Sequence, residues 1–208
     1  MALSKADLCN GALSHIGSSA EIVDVDNERS KEAQACRRFY DRVRDEVLRD
    51  FSWPFAKRTA ALTLVEDTSD DDTAEWNFVY RYPSECIAVR RLFMGGQLGR
   101  VDAPGSRVEY RIGSDSAGTL IYTDIESAQC EFTIRIDNPE VYPSDFAAAF
   151  ELLLASKIGP RVAGGDQFKL ADRALALYLN RIDRAKANAA TEEQAPVAST
   201  SDLERARA

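Results

Sequence analysis

Metal-binding residues are scarce in this sequence. It has a single histidine, and its four cysteines lie far apart without a CxxC pair. A zinc site needs clustered thiolate and imidazole ligands, so this inventory argues against one. Each cysteine occupies a position where its neighbours suggest an apolar residue, which indicates buried free thiols, and we expect neither a metal nor another cofactor. The cysteines are Cys9, Cys36, Cys86 and Cys130.

Long apolar runs are also missing. No stretch approaches the roughly 20 residues needed to span a bilayer. The first residues carry no basic stretch followed by an apolar core, so they do not form a signal peptide, and we expect folding in the cytoplasm. Basic residues are fewer than acidic ones, so the formal net charge of the 208-residue chain is −8. This balance argues against general nucleic-acid binding, since phosphate attracts basic surfaces.

Residues for catalysis are few or poorly placed. His15 follows Ser14 in a predicted helix, where successive side chains point about 100° apart, so the two cannot form a dyad. The glycine-rich residues 94–100 lack a P-loop lysine. Carboxylates are plentiful, and Asp45 with Glu46 leaves open a hydrolase that works through an acidic pair. Adjacent acids in polar surroundings usually stay solvated, so the hydrolase is an alternative hypothesis.

An amphipathic helix between residues 28 and 55 organises the chain. One face is apolar, and the helix ends at Trp53-Pro54-Phe55, where proline forbids continuation. The opposite face carries a basic stripe that is interspersed with carboxylates. A salt-bridged, solvated face and a partner-binding stripe are both open interpretations. The stripe consists of Lys31, Arg38, Arg42 and Arg49.

The apolar period changes twice after this helix. Residues 59–142 alternate apolar and polar positions in short runs, of which residues 59–65 are the first predicted strand, and this pattern predicts an antiparallel sheet or a small sandwich. Residues 146–158 are apolar nearly all round, as in a helix that is buried on several sides. The last helix carries two apolar stripes, and a single core usually buries one of them, here Phe168, Ala171, Leu175, Tyr178 and Ile182. The other stripe predicts a contact with a second chain; it consists of Leu170, Ala174 and Leu177.

The predicted fold class is α+β: an antiparallel bundle of four main helices, with a β-rich insertion between the second and third helices and a flexible C-terminal tail. The tail is rich in Ala, Ser, Thr and Glu, and taken alone it should be disordered. Two interpretations of the tail stay open: it docks on a partner, or it is a terminus without a function. The predicted parts are a helical pair (1–58), the insertion (59–142), a second helical pair (143–187) and the tail (188–208).

Four stretches resemble the tail tubular protein A family, the head-to-tail adaptors or gatekeepers of short-tailed bacteriophages. The resemblance covers roughly residues 2–187 in the same order. Its most specific pieces are Trp53-Pro54-Phe55, Tyr82-Pro83 and Tyr142-Pro143, which are packing residues and not a catalytic motif. The four stretches are ALSKADLCNGALSHIGS, EAQACRRFYDRVRDEVLRDFSWPFAKR, VYRYPSECIAVRRL and FTIRIDNPEVYPSDFAAAFELLLASKIG.

The resemblance implies a non-enzymatic structural protein of a phage virion, assembled in the host cytoplasm. It would form a dodecameric ring between the portal and the tail nozzle, and genomic DNA would pass through the channel without specific binding. Its partners would be further copies of itself, the portal protein, the nozzle protein and the tail fibres. Besides the acidic-pair enzyme, which would degrade peptidoglycan, a monomeric adaptor with a ligand-binding β domain is a second alternative.

Two sets of residues are assigned to these contacts. In the family the C-terminal extension docks on the portal. Residues 188–208 correspond to that extension by position, so the resemblance implies that they bind the portal. The portal-binding set is Val197, Asp202, Leu203, Glu204 and Arg205. The inter-subunit set is Leu170, Ala174, Leu177, Arg38, Arg42 and Arg49.

Overall fold

The computed structural model describes residues 2–71, 73–94, 108–163 and 166–192. Within these ranges the chain forms four α-helices, seven β-strands and two short 3-10 helices, at Pro54–Ala56 and Pro139–Val141. None of the described helices has the length and apolar character that crossing a membrane requires. The helices are α1 (Lys5–His15), α2 (Lys31–Asp50), α3 (Ser144–Val162) and α4 (Gln167–Glu192). The strands are β1 (Lys57–Ala61), β2 (Thr63–Asp67), β3 (Phe78–Arg81), β4 (Cys86–Met94), β5 (Arg111–Asp115), β6 (Gly118–Thr123) and β7 (Ala128–Ile134).

Local signals set the limits of the first two helices. The Asp7 amide donates to the Ser4 hydroxyl at 3.1 Å, and the Ser4 amide donates to the Asp7 carboxylate at 2.9 Å. This reciprocal capping box satisfies two end donors of α1. α2 ends at Asp50, ahead of the predicted limit at residue 55, because Phe51 adopts an extended backbone.

The helices do not form the predicted antiparallel bundle, and the predicted fold class is therefore wrong. The chain is a mixed α/β structure with two antiparallel sheets, whose strands lie in sequence between α2 and α3. α3 contacts each of the other three helices, whereas α1 and α2 touch only slightly. The physical reason is that α3 buries side chains around most of its circumference and needs neighbours on several sides. In a bundle, by contrast, each helix buries one stripe.

The two sheets share one small core. The helix-side sheet has the order β1-β7-β4, and the outer sheet has the order β2-β3-β6-β5. The segment predicted as one strand, residues 59–65, is divided at Leu62, because β1 pairs with β7 and β2 pairs with β3. The chain thus passes directly from one sheet to the other, as in a sandwich. Buried side chains from both sheets form the core: Tyr80, Leu92, Ile121, Ala128, Cys130, Phe132 and Ile134.

Arg90 attaches the helix-side sheet to α2. It lies where the register of β4 against β7 shifts, and such a bulge redirects a side chain. Its guanidinium donates to the carbonyl oxygens of Leu48, Arg49 and Phe51 at 2.8, 3.0 and 2.8 Å. It also donates to the Thr133 hydroxyl at 2.7 Å. The last carbonyl groups of a helix lack hydrogen-bond donors within the helix, and the Arg90 guanidinium donates to those at the end of α2.

The last helix is longer than predicted. α4 continues to Glu192, so it passes residue 187, where the flexible tail was predicted to begin. Residues 193–208 lie outside the described residues. The predicted portal-binding residues all fall within them: Val197, Asp202, Leu203, Glu204 and Arg205.

Candidate interaction surfaces

The acidic pair of the hydrolase hypothesis is engaged by three cations. Asp45 accepts hydrogen bonds from Arg44 Nε at 3.0 Å and from Arg135 at 2.6 Å. Glu46 accepts from Lys157 of α3 at 3.1 Å. The two carboxylates therefore bind different neighbours, whereas glycosidase chemistry needs two carboxyl groups that face a common substrate. This geometry does not favour the hydrolase hypothesis.

His15 lies at the end of α1, beside a half-buried carboxyl group. Its Nε2 is 3.7 Å from Glu151 of α3. Burial lowers the pKa of His15 and raises the pKa of Glu151. The Ser14 hydroxyl donates to the Asn10 carbonyl at 2.9 Å. The histidine thus packs α1 on α3, and the neighbouring serine is engaged elsewhere.

The predicted inter-subunit stripe of α4 is divided in the structure. Ala174 is 2% exposed and belongs to the helical core. Leu170 packs against the same core, whereas Leu177 is 44% exposed. Of the three residues, only Leu177 therefore offers an exposed side chain to another chain.

A different apolar face of α4 is exposed. The exposed fractions are 71% for Phe168, 40% for Leu175 and 56% for Leu179. At 100° per residue the three side chains fall within about 40° of one another, and we call them the α4 apolar face. The sequence pattern places Phe168 and Leu175 in the core, which is wrong. α4 approaches α3 through small residues instead: a Cβ on Gly159 would lie 3.2 Å from the Ala171 Cβ.

Small residues are the signal that could have located the contact face of α4. A helix packs most closely where its side chains are short, so alanines on one side of an apolar helix can mark the buried side better than leucines do. The buried side of α4 fits this pattern. Its buried members are Ala171, Ala174, Tyr178, Ile182 and Ala185.

The predicted basic stripe of α2 is exposed over its whole length. Lys31, Arg38, Arg42 and Arg49 are all exposed, and steps of seven and four residues keep them on one side of the helix. Eighteen residues of helix separate the ends of the stripe by about 27 Å. Within the described residues, Lys31 alone of the four forms an ion pair, with Glu32 at 3.8 Å.

The other acidic residues of α2 do not neutralise the stripe. Asp41 accepts from Arg44 at 3.1 Å, and Asp50 accepts from the Tyr178 hydroxyl of α4 at 2.6 Å. The remaining two carboxylates bind cations as described above. The face is therefore solvated, as one of the two open interpretations has it, but Arg38, Arg42 and Arg49 form no ion pair with the described residues.

A segment of opposite charge follows β1. Residues 59–80 contain six acidic side chains and no lysine or arginine. The hydroxyls of Ser69 and Thr73 donate to Asp67 and Asp71, both at 2.6 Å. These bonds lower the pKa of both carboxyl groups and keep them ionised at neutral pH. We call residues 66–71 the acidic segment; its exposed members are Glu66, Asp67, Asp70 and Asp71.

Two of the three most specific pieces of the family resemblance, Trp53-Pro54-Phe55 and Tyr142-Pro143, meet in one aromatic cluster between α2 and α3, whereas Tyr82 packs against the core between the sheets. The rings of Trp53 and Phe55 lie 5.2 and 5.1 Å from that of Phe146, and Tyr142 lies 4.6 Å from it. A groove of about 290 Å³ opens beside this cluster. Its lining residues are Phe51, Trp53, Pro54, Phe55, Pro143, Asp145, Ala185 and Asn188.

Comparison with known proteins adds no family. The chain matches no model of a known protein family, and no curated protein matches it. The described residues contain no group of three or more His, Cys, Asp or Glu side chains placed to hold a metal ion. Functional inference therefore depends on the α4 apolar face, the basic stripe, the acidic segment and the packing pattern of the aromatic cluster.

Proposed function

We propose that this chain is a structural connector of a phage virion. Copies of it form a ring that joins the portal to the tail nozzle around the DNA channel. The connector function comes from the resemblance of residues 2–187 to the head-to-tail adaptors, and the single structural observation that supports it is the α4 apolar face, where Phe168, Leu175 and Leu179 are exposed together. A contiguous exposed apolar surface marks a contact with another protein more often than it occurs by chance.

The burial of α3 supports the choice of α4 as the contact helix. The all-round apolar character of α3 suits either a core helix or a subunit contact. The other three helices cover it: Phe146, Phe150 and Leu154 are each 0% exposed. Among the described α-helices, the large apolar side chains that remain exposed all lie on α4.

Net charge agrees with a channel and not with a binding groove. Each chain carries a formal charge of −8, and a ring of such chains would repel the phosphate backbone. Repulsion from the wall allows DNA to pass without adhering to it.

The direct test mixes the purified chain with purified portal rings from the same phage. Light scattering should show a rise in mass, and electron microscopy should show added density at one end of the portal. A chain that stays monomeric in the presence of portals would overturn the proposal.

Matched variants locate the contact. Leu175→Ser combined with Leu179→Ser should abolish assembly and leave the fold intact, since both side chains are exposed. Leu177→Ser is the control, because Leu177 is similarly exposed at 44% but lies about 160° around the helix from Leu179. Loss of assembly confined to Leu177→Ser would contradict the assignment to the α4 apolar face.

Truncation tests the tail. Since α4 runs to Glu192, removal of residues 193–208 spares every described helix. We expect an unchanged unfolding midpoint and weaker attachment to portals. Equal attachment of the truncated and full-length chains would show that the tail has no docking task.

A further inference from the structure

The three arginines of the basic stripe of α2 form no ion pair with the part of the chain that the structure describes. Arg38 and Arg42 form no ion pair within the ranges that the structure describes, while nearby Asp41 and Asp45 are taken by Arg44 and Arg135. An exposed row of like charges repels itself at neighbouring turns. A partner that presents a row of carboxylates would therefore stabilise the basic stripe most.

The acidic segment likewise has charged side chains without ion-pair partners among the described residues. Glu66 and Asp70 are exposed and form no ion pair within the described residues. The adjoining strand β2 adds apolar area, because Leu64 is 49% and Val65 44% exposed. The segment thus combines negative charge with a small apolar patch, as a contact surface does.

We propose that the basic stripe of α2 binds the acidic segment of a second copy of this chain. The stripe belongs to the helical region and the segment to the outer sheet, and none of the described ion pairs or hydrogen bonds joins the two within one chain. Each copy therefore offers one surface of either sign. The inference rests on the proposed function in one respect, the assembly of several copies.

Contact between two different surfaces has a consequence for symmetry. An interface of this kind is heterologous: each copy uses its stripe toward one neighbour and its acidic segment toward the other. Such contacts close into a ring when the rotation between copies permits it. An exposed ion pair contributes little free energy by itself. The charges consequently set orientation and encounter rate, and the α4 apolar face supplies further contact energy.

Nucleic acid fits the stripe less well than a second copy does. Four basic side chains face away from a chain whose formal net charge is −8, and long-range repulsion opposes the approach of phosphate. A second copy repels this chain too, since it has the same net charge, but duplex DNA carries about one negative charge per 1.7 Å of its axis, so the repulsion that opposes its approach is larger.

The test reverses charge on either surface. One variant carries Arg38→Glu and Arg42→Glu, and a second carries Glu66→Lys and Asp70→Lys, which spares the carboxylates that hold the loop turns. Sedimentation velocity of the parent at low salt should show self-association that weakens as salt shortens the screening length from about 10 Å at 0.1 M to about 3 Å at 1 M. Each variant alone should associate on the order of tenfold more weakly.

Restoration makes the test specific. A mixture of the two variants, and a single chain that carries all four changes, should both regain association, because opposite charges face each other again. The control is Arg173→Glu with Arg184→Glu on α4, which has the same change of charge at exposed positions. It should associate like the parent.

Several outcomes would overturn the proposal. They are a parent that stays monomeric at low salt, a variant that associates like the parent, and a mixture that fails to restore association. A fourth is duplex DNA binding that the stripe variant loses while its self-association is unchanged. Portal attachment is measured separately: if charge reversal leaves ring formation on portals intact, this contact is wrong and the connector function stands. Salt-dependent association without portal binding would instead support this contact and overturn the connector function.

Discussion

The helical region and the β region are stabilised in different ways. The helical core draws buried side chains from all four helices and from the aromatic cluster. Within the described residues, the core between the sheets has seven buried members, and much of the outer sheet is exposed, including every residue of β2. The helical region is held by apolar burial, whereas the β region depends more on individual arginine contacts.

This contrast has a consequence for function. Apolar burial gives a rigid wall, and α3 anchors that wall because it contacts α1, α2 and α4. A sheet held by a few polar contacts can adjust its position when a partner binds. In a connector, such a division would give the ring a stiff helical wall and leave the sheets able to adjust to a bound partner.

The largest effect should come from the aromatic cluster. Phe146→Ala removes a side chain that is 0% exposed, and we expect a loss of about 3–5 kcal/mol in the free energy of unfolding. The measurement is chemical denaturation followed by circular dichroism at the helix signal. A loss below about 1 kcal/mol would contradict the view that apolar burial dominates this region.

The matched control for that variant is Phe168→Ala. The residue type is the same, but Phe168 is 71% exposed, so its removal should change stability by no more than about 0.5 kcal/mol. It should instead weaken assembly, because Phe168 belongs to the α4 apolar face. Equal destabilisation by both variants would show that Phe168 is buried in the free protein.

The next effect tests the attachment of the two regions. Arg90→Met removes the hydrogen bonds to the end of α2 and leaves the buried Thr133 hydroxyl without that donor. Loss of charge-assisted hydrogen bonds should cost about 2–3 kcal/mol. Two unfolding transitions in place of one would show that Arg90 couples the helical and β regions. The control is Arg91→Met: Arg91 is 44% exposed and pairs with Glu131 at 3.0 Å, so its loss should cost below about 1 kcal/mol.

Sequence periodicity located most elements but not how they associate. The apolar character of residues 146–158 correctly indicates a helix buried on several sides, yet it does not say that α1, α2 and α4 all contact that helix. The break at Leu62 leaves no mark in the alternation of residues 59–65, because both sheets need the same pattern. Register shifts such as the one at Arg90 are likewise set by tertiary contacts.

The candidate surfaces were only partly visible in the sequence. Spacing alone identifies the basic stripe, since exposed arginines recur on one side of α2. That the stripe is uncompensated depends on Asp45 binding Arg135, a residue distant in sequence. The sequence pattern does not reveal the α4 apolar face, because a large hydrophobic side chain does not by itself indicate burial, and alanines such as Ala171 form the contact with α3.

A smaller effect concerns the pH dependence of the helical region. Burial raises the pKa of Glu151 above its ordinary value of 4.5, so the folded state favours the protonated form. Its stabilising contribution is present below pH 4.5 and is lost as the pH rises through the raised pKa. Glu151→Gln should therefore be more stable than the parent at pH 7, by about 1 kcal/mol at most because the carboxyl retains solvent contact, and equal to it at low pH. The measurement is urea unfolding of both chains across pH 4–7, where other titrations cancel in the difference.

The result for Glu151 depends on its neighbour. His15 at 3.7 Å offsets the cost of the carboxylate only while the imidazole is protonated, and burial lowers the His15 pKa. A variant that is less stable than the parent at pH 7 would show that the ion pair outweighs burial. His15→Gln is the second arm, because it removes the cation and leaves the carboxyl group in place.

The smallest effect should arise on the outer sheet, where polar contacts are most exposed. Arg81 donates two hydrogen bonds to Asp115, at 2.9 and 3.0 Å, and these lower the pKa of Asp115 from 3.8 to about 2. The pair stabilises the folded state above pH 3.8, and its contribution is lost as the pH falls through about 2. Asp115→Asn should therefore lower the unfolding midpoint slightly at neutral pH, and the difference from the parent should narrow as the pH falls over this interval.

The control for this pair is Glu75→Gln, which removes a single-bonded ion pair with Arg111 at 2.8 Å in the same sheet. Two parallel bonds fix a guanidinium more firmly than one does, so Asp115→Asn should have the larger effect of the two. If both changes leave the midpoint unaltered while Arg90→Met lowers it, the β region depends on its attachment to α2 and not on its own surface pairs. If Asp115→Asn lowers it as much as Arg90→Met does, the outer sheet limits the stability of the β region, and the helical attachment is secondary.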